Sequence, residues 1–365
     1  MISICATCYN HEKFVSAFVE SVLRQTSADW ELCVVDDCST DGSFAVLQEY
    51  AARDPRIRVV QNDRNRHVCY TGNRSIGMAT GDLVTLISCD DMLAPNKVRS
   101  DREFFQAHAD VAALYTRSRI VRDGKLTDEI IDMPRNFSRL YLLRQELFGR
   151  NSLCIPGLTI RREAMDRLGG YNPMLRMTQD HELHVRILKN YDVALSKEPT
   201  IYYRRHDGNL SGLSESYFNV VMNEGTYFLA DHYLEGVKSV DDLLEMIPEC
   251  REYGNPVAEV IPYFMSRYAI DHGVDPEIRI AGLQALYRFL RDENNRKVLE
   301  EKYGFISRDF MMLSQLQAFG SMKALAAAQE NLATTFNSAS YKLGIALTWP
   351  LRTVYRFFKP RNWEC

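Results

Sequence analysis

The amino-acid sequence predicts an α/β protein with a mostly parallel central sheet, helices on both faces of the sheet and a helical region toward the carboxyl terminus. Two patterns lead to this fold class. Short apolar runs alternate with longer helical patterns through the first third of the chain, which is typical of βαβ units. Beyond residue 214 strand patterns nearly vanish, and apolar residues recur at helical spacing. A chain of 365 residues is long enough to bury a substantial core.

The alternation begins at the amino terminus. The predicted strands there are Ile2–Cys8, Trp30–Asp36, Ile57–Gln61 and Asp82–Ser88. The predicted helices between them are Glu12–Arg24, Gly42–Arg53 and Tyr70–Ala79. Crossover connections of this kind give parallel strands, and open α/β sheets bind ligands outside the carboxyl ends of their strands. A binding site is therefore expected at this edge.

The pattern loosens after residue 110 and changes again near 214. The next predicted elements are strands at Ala112–Thr116, Thr159–Arg161 and Thr200–Tyr203, with a helix at Asp180–Lys189. The later ones are helices at Tyr217–Leu234, Pro276–Arg291, Asn294–Lys302 and Met322–Thr335. These changes predict a first domain over 1–214 that divides at 110, a helical domain over 215–340 and a tail over 341–365.

Composition excludes several classes of protein. Apolar residues make up 46% of the chain and charged residues 25%, which excludes a disordered or fibrous chain. A net charge of −4 argues against general binding to nucleic acid. Nine cysteines without a signal peptide favour reduced thiols and a cytoplasmic location. The C-x-x-C of Cys5 and Cys8 lies within a strand pattern and has no second ligand pair, so zinc is not expected.

Pairs of aspartates end two of the buried strands. WELCVVDD closes on Asp36 and Asp37, and GDLVTLISCDD closes on Asp90 and Asp91. Adjacent acids at a buried strand end repel each other and lose solvation, so they indicate a ligand or a cation there. Mg²⁺ is commonly held by one or two carboxylates together with substrate phosphates. The two acidic ends therefore predict a metal–diphosphate site, whereas Asp36 is expected to bind the turn backbone.

Two further segments carry candidate site residues. TQDHELHVRIL reads as a helix start with Asp180 in the first turn, where the positive helix terminus would lower the pKa of a carboxylate. YYRRH brings Arg204, Arg205 and His206 to the end of a strand. Cations there suit a diphosphate or an anionic acceptor, with a purely structural histidine as the alternative.

Five blocks together resemble the family 2 glycosyltransferases, whose GT-A fold is Rossmann-like. The blocks are CATCYNHEKFVSAFVESVLRQT, VVDDCSTDGS, GNRSIGMATGD, ISCDDML and GGYNPMLRMTQDHELHVRIL. The resemblance covers about residues 1–210. It implies metal-dependent, inverting transfer of a sugar, with Mn²⁺ or Mg²⁺, from a nucleotide-diphosphate sugar to a hydroxyl of a glycan or lipid-linked glycan. It also implies a nucleotide-binding part over 1–110 and an acceptor-side part over 111–214.

The resemblance assigns roles to individual residues. Thr7 and Tyr9 match positions that contact the nucleobase, and Asp37 matches the acid that accepts the base N–H. Asp90 and Asp91 match the ribose and metal acids, Asp180 matches the catalytic base, and Arg204 and His206 match contacts to diphosphate, metal or acceptor. This chain departs from the family in having Ser88 where the first acid of D-x-D stands, so either Asp90 or Asp91 is the main metal ligand. A non-catalytic nucleotide-sugar-binding or scaffold protein of the same fold is the alternative.

The last 25 residues form a basic apolar segment. Leu343, Leu347, Leu351, Val354 and Phe358 make an apolar stripe at helical spacing, with Arg352, Arg356 and Lys359 beside it. Such a helix suits the anionic inner face of a cell membrane, where lipid-linked acceptors would lie. Packing on the protein itself or on a second copy of the chain in a homo-oligomer is the alternative.

Overall fold

The computed structural model describes residues 1–134, 138–206, 209 and 215–315, with the backbone alone for 215–218. Met1–Phe305 form one compact unit and Ile306–Cys365 a second. In the second unit, residues 307–315 have helical backbone. The helix predicted at Met322–Thr335 and the basic tail over 341–365 lie outside the described residues.

One mixed sheet of nine strands runs through the described part of the first unit. In chain order the strands are β1 Ile2–Cys8, β2 Trp30–Asp36, β3 Ile57–Gln61, β4 Leu83–Ser88, β5 Met92–Leu93, β6 Ala113–Arg122, β7 Lys125–Ile131, β8 Leu158–Arg161 and β9 Val193–Arg205. Their spatial order is β3-β2-β1-β4-β8-β6-β9-β5, and β7 pairs with β6.

Helices surround the sheet and continue beyond it. In chain order they are α1 Glu12–Leu23, α2 Ser43–Arg53, α3 His67–Met78, α4 Lys97–Ala107, α5 Arg139–Phe148, α6 Arg162–Leu168, α7 Gln179–Asn190, α8 Glu215–Glu235, α9 Val240–Met246, α10 Ile261–His272, α11 Pro276–Phe289 and α12 Glu293–Tyr303. The α/β class and the carboxyl-terminal helices predicted from the sequence are confirmed.

The amino-terminal half of the sheet is parallel, as predicted. β1 pairs in parallel with β2 and with β4, and Thr7 is in register with Val35 on one side and Ser88 on the other. The side chains of β1 and β2 are almost completely buried, because helices cover both faces. β8 then enters antiparallel beside β4, and β6 and β9 are parallel to each other. The carboxyl ends of β1, β2 and β4 therefore share one edge.

The helices after residue 214 pack in the same compact unit as the sheet. The Tyr233 hydroxyl of α8 donates a hydrogen bond of 2.5 Å to the carbonyl of Leu147 in α5. Arg144 of α5 forms an ion pair of 2.7 Å with Glu249 beyond α9. Residue 214 thus marks a change in secondary structure, and a separate helical domain over 215–340 stays a prediction.

Candidate active site

A cavity of about 680 Å³ opens at the carboxyl edge of the sheet. It brings together five of the predicted site residues, Thr7, Asp90, Asp91, Asp180 and His206. Their side chains arrive from different elements: the end of β1, the turn after β4, the start of α7 and the end of β9. The three other predicted residues, Tyr9, Asp37 and Arg204, are not part of the described cavity lining.

Asp90 is a buried carboxylate that faces two imidazoles. Its Oδ2 lies 3.0 Å from Nε2 of His206 and 3.9 Å from Nε2 of His11. Burial alone would raise the pKa of Asp90, but the hydrogen bond with His206 and the charge of His11 outweigh burial and lower it. Asp90 is therefore an ionised group at neutral pH.

Asp91 has a different environment although it is the next residue. Its side chain is almost fully buried, and Oδ1 accepts a hydrogen bond of 2.8 Å from the backbone N–H of Arg204. Burial, followed by the neighbouring charge of Asp90, raises the pKa of Asp91 well above its usual value. One oxygen of Asp91 thus holds the end of β9 in place, while Asp90 carries the charge.

Arg204 and Arg205 are adjacent at the end of β9 but lie in different surroundings. The guanidinium of Arg204 donates through Nε to the backbone carbonyl of Asp90, at 2.8 Å, and lies 4.9 Å from the ring centre of Phe14. It anchors the turn that carries the acids. The neighbouring Arg205 lines the cavity, with its side chain 49% exposed. The role of Arg204 in contacting diphosphate or acceptor stays a prediction.

The predicted nucleobase residues lie along the ends of β1 and β2. Thr7 lines the cavity and Tyr9 is 42% exposed just beyond β1. Asp37 is buried, and its Oδ1 accepts hydrogen bonds from Asn62 Nδ2 at 2.8 Å and from the backbone N–H of Arg66 at 2.7 Å. The preceding Asp36 binds the turn, as expected, through the Ser39 N–H at 2.9 Å.

The donor set around Asp90 fits a divalent cation only with the help of other ligands. Among the described residues, no group of three or more His, Cys, Asp and Glu side chains is arranged to hold a metal ion. Asp90 Oδ2 and His206 Nε2 are 3.0 Å apart, about the spacing of adjacent ligands on an octahedral ion with bonds of roughly 2.1 Å. One carboxylate and one imidazole therefore fit a cation that phosphate oxygens and water complete.

Asp180 enters the cavity from the first turn of α7, as predicted. The alternative, in which the helix terminus lowers the pKa and makes Asp180 a weak base, is not favoured by its surroundings. Burial instead raises the pKa of Asp180 to about 7, and no hydrogen bond or charge from the described residues offsets the effect of burial. A carboxylate with a pKa near neutrality is suited to general-base catalysis, because it is substantially ionised and still accepts a proton readily.

Tyr171 is a cavity residue that the sequence patterns did not single out. Its ring packs over Gly72 of α3, where a Cβ atom would come within 2.9 Å of the ring. Asn73 fixes the Tyr171 backbone through two hydrogen bonds, of 2.8 Å to the carbonyl and 2.7 Å from the N–H. Gly72 and Tyr171 thus form one wall of the cavity. Glycine is needed at position 72 because the tyrosine ring approaches α3 there.

Two more residues near the cavity were missed. His11 lies three positions after β1, and its pKa is raised, because interactions with Cys8 and Asp90 outweigh the effect of burial. Glu146 of α5 is fully buried, accepts a hydrogen bond of 2.6 Å from the Ser152 hydroxyl, and has a pKa raised by burial to about 7. The sequence signal for His11 is its place after the first strand, and Glu146 has no such signal.

The sequence of this chain is similar to those of known glycosyltransferases. Residues 3–169 match the model of Glycosyl transferase family 2. The putative teichuronic acid biosynthesis glycosyltransferase TuaG of Bacillus subtilis is 29% identical over 189 residues, or 52% of this chain and 72% of that protein. The putative colanic acid biosynthesis glycosyl transferase WcaA of Escherichia coli K12 is 29% identical over 193 residues, or 52% of this chain and 67% of that protein.

Other relatives are much longer than the matched region. An uncharacterised protein of Sinorhizobium fredii is 32% identical over 192 residues, and the match spans 50% of this chain but only 21% of that protein. Among solved structures, Staphylococcus aureus TarS 1–349 in complex with UDP-GlcNAc superposes with a TM-score of 0.54 at 18% identity. The superposition covers 82% of this chain and 90% of that chain, and it confirms the predicted GT-A fold.

Proposed function

We propose, from the premise that residues 3–169 of this chain belong to glycosyl transferase family 2, that the protein is an inverting glycosyltransferase. It moves a sugar from a nucleotide-diphosphate sugar to a hydroxyl group of a glycan or lipid-linked glycan. The observation that carries the proposal is one cavity that holds an ionised carboxylate, Asp90, and a carboxylate with a pKa of about 7, Asp180.

The donor occupies the part of the cavity next to the parallel strands. Thr7 and Tyr9 contact the nucleobase, Tyr9 by stacking, because an exposed aromatic ring beside a cavity offers a face to a base. Asp37 accepts a base N–H, and its internal hydrogen bonds orient it for that contact. The UDP-GlcNAc bound in the TarS complex supports a nucleotide sugar of this class.

The diphosphate lies next to Asp90. Asp90 and His206 would hold a Mn²⁺ or Mg²⁺ ion, which supplies positive charge to the diphosphate as it leaves. Asp91 supports this turn through its hydrogen bond to the Arg204 N–H, and Arg205 presents a cation from the cavity wall. These contacts favour the leaving group over the intact donor, because negative charge grows on the diphosphate during transfer.

Asp180 acts on the acceptor. Its ionised carboxylate takes the proton from the attacking hydroxyl, and the hydroxyl oxygen forms a bond to the anomeric carbon. The bond between that carbon and the diphosphate oxygen breaks on the opposite face, and the electron pair leaves with the nucleoside diphosphate. Attack opposite the leaving group inverts the anomeric configuration, and no covalent sugar–enzyme bond is formed.

The acceptor class rests on the relatives. The names of TuaG and WcaA refer to teichuronic acid and colanic acid biosynthesis, so we assign this chain to the assembly of a polysaccharide.

Among the described residues, no helix combines the length and apolar character needed to cross a membrane. We place the enzyme in the cytoplasm, with the tail over 341–365 as its contact with the anionic inner face of the membrane.

The proposal is tested by donor turnover in Asp180→Asn. A panel of UDP- and GDP-sugars is screened with Mn²⁺ for release of nucleoside diphosphate. Water or added oligosaccharides serve as the acceptor of the sugar. Asp180→Asn should reduce kcat on the order of 10²-fold or more, because the amide cannot take a proton. Donor Kd, measured by calorimetry, should stay within about twofold, because Asp180 contributes proton transfer and not donor affinity.

The matched control is Asp166→Asn, which removes an exposed carboxylate of α6 that pairs with Arg162. This variant should retain wild-type kcat. If the wild-type protein binds nucleotide sugars but releases no nucleoside diphosphate with any donor or acceptor, the chain is a binding or scaffold protein. If Asp180→Asn keeps normal turnover, Asp180 is not the base.

A further inference from the structure

A carboxylate of the carboxyl-terminal helices grips the chain just before the proposed catalytic base. Glu224 of α8 accepts hydrogen bonds from the backbone N–H groups of Arg176, Met177 and Thr178, at 2.8, 2.8 and 2.9 Å. The Thr178 hydroxyl donates a fourth hydrogen bond of 3.0 Å to the same side chain. One side chain thus satisfies three successive peptide groups.

This contact fixes the start of α7. Thr178 occupies the N-cap position of α7, but its hydroxyl makes no cap bond within the helix and donates to Glu224 instead. Met177, Gln179 and Asp180 line the cavity immediately beside the gripped segment. Arg176 is exposed, but Met177 is half-buried and Thr178 is buried. Because a buried peptide N–H without an acceptor is costly, the start of α7 depends on an acceptor at this position.

The carboxylate of Asp180 is held differently from its neighbours. Burial alone shifts its pKa, and no hydrogen bond from the described residues stabilises the ionised carboxylate. Its location therefore follows from the backbone at the start of α7. Arg186 of the same helix donates hydrogen bonds to the carbonyls of Leu168 and Gly170, each at 2.7 Å.

We propose that Glu224 is a positioning residue for transfer, which sets the location of Asp180 by holding residues 176–178 against α8. The inference rests on the proposed role of Asp180 as the base. It assigns the helical region an indirect part in catalysis, because Glu224 of α8 holds the segment before Asp180 while the sheet supplies the donor site. A displacement of about 1 Å at a reacting group is enough to cost on the order of 10²-fold in rate.

The first measurement is amide hydrogen exchange on the full-length protein, which needs no substrate. In Glu224→Ala, a peptide that contains residues 176–178 should exchange at least about tenfold faster than in the wild type, because three N–H groups lose their acceptor. Peptides from β1, β2 and β4 should be unchanged. Asp231→Asn is the matched control, because Asp231 is an exposed carboxylate of the same helix that pairs with Arg288.

The second measurement separates kcat from donor affinity. With the nucleotide sugar that supports turnover, Glu224→Ala should lower kcat at least about tenfold and leave donor Kd within about twofold, since the donor lies on the other side of the cavity. Glu224→Gln keeps one acceptor oxygen and should lower kcat less. The Asp231→Asn control should match the wild type in both quantities.

Several outcomes would overturn the proposal that Glu224 positions Asp180. Faster exchange at 176–178 with unchanged kcat would show that the grip does not position the base. Parallel losses of donor affinity and kcat in the milder Glu224→Gln would show a general structural role instead. A kcat that falls in Asp180→Asn but not in the Glu224 variants rejects this inference alone. An active Asp180→Asn rejects the role of Asp180 on which the inference rests, and a wild type without turnover rejects the proposed function.

Discussion

Asp90 and Asp180 are both enclosed carboxylates of the same cavity, but their surroundings move their pKa values in opposite directions. Asp90 follows β4 and faces His206 and His11, which lower its pKa in spite of burial. Asp180 begins α7 and has no compensating neighbour in the described part of the chain, so burial raises its pKa to about 7. Two carboxylates whose environments separate their pKa values are suited to different roles.

The difference shows that two parts of the cavity supply carboxylates with different chemical properties. The turn after β4 places Asp90 beside two imidazoles that keep it charged, as a cation or diphosphate site requires. The start of α7 places Asp180 where burial raises its pKa, which makes its ionised form a stronger proton acceptor. Variants that change one carboxylate at a time test whether Asp90 and Asp180 have these separate roles.

The largest expected effect on binding of the nucleoside diphosphate comes from Asp90. Asp90→Asn should weaken Mn²⁺-dependent binding of nucleoside diphosphate at least about tenfold, because a neutral amide is a poorer ligand for a hard cation. Calorimetric titration of UDP or GDP with Mn²⁺, and again with EDTA, measures the effect. The variant should bind equally weakly in both solutions.

Asp91→Asn is the matched control for this experiment. An asparagine there keeps the oxygen that accepts the Arg204 N–H, so the end of β9 should stay in place. Its effect on metal-dependent binding should be smaller than that of Asp90→Asn. The reverse order would assign the main metal contact to Asp91, which is the alternative that the sequence left open.

The smallest expected effect on the cavity comes from the tail. Deletion of residues 341–365 should leave turnover on a soluble acceptor unchanged, because both carboxylates lie within Met1–Phe305. It should release the protein from liposomes that contain anionic lipid, since five basic residues and an apolar stripe are removed. Co-sedimentation with such liposomes measures binding.

A different result would change the role of the tail. Full-length protein that ignores anionic liposomes would exclude the membrane contact. A truncated protein that unfolds, or changes its mass in solution, would show that the stripe packs on protein.

Much of the parallel half could be predicted from the sequence. The bounds of β1, β2 and β3 agree with the predicted strands, because continuous apolar runs between turn residues identify buried strands well. The acids after β2 and β4 follow from the same runs. Strand β9 extends over Val193–Arg205, far beyond the predicted Thr200–Tyr203, because its first residues alternate less clearly and pair with β6 only in the folded chain.

The site details that depend on tertiary contacts were not accessible. The pKa of Asp180 follows from enclosure by several elements, whereas the local pattern showed only a helix terminus. Arg204 and Arg205 are adjacent, and only the direction of β9 decides which lines the cavity. Glu224 lies more than 40 residues after Asp180 in the chain and has no local motif, so its contact with 176–178 appears only in the fold.

The most direct test of the difference between the two carboxylates is the pH dependence of kcat and of donor Kd, measured at saturating Mn²⁺. Asp180 must be ionised to accept a proton, and its pKa is about 7. We therefore expect kcat to rise about tenfold per pH unit below pH 7 and to level off above pH 8. Donor Kd should change much less over the same range, because Asp90 stays ionised.

Glu146→Gln identifies the group responsible, because Glu146 is another carboxyl near the cavity with a pKa of about 7. The rise in kcat near pH 7 should persist in this variant and disappear together with most of the turnover in Asp180→Asn. A kcat that does not depend on pH between 5 and 8, or a rise that is lost in Glu146→Gln, would contradict the assignment of Asp180 as the base.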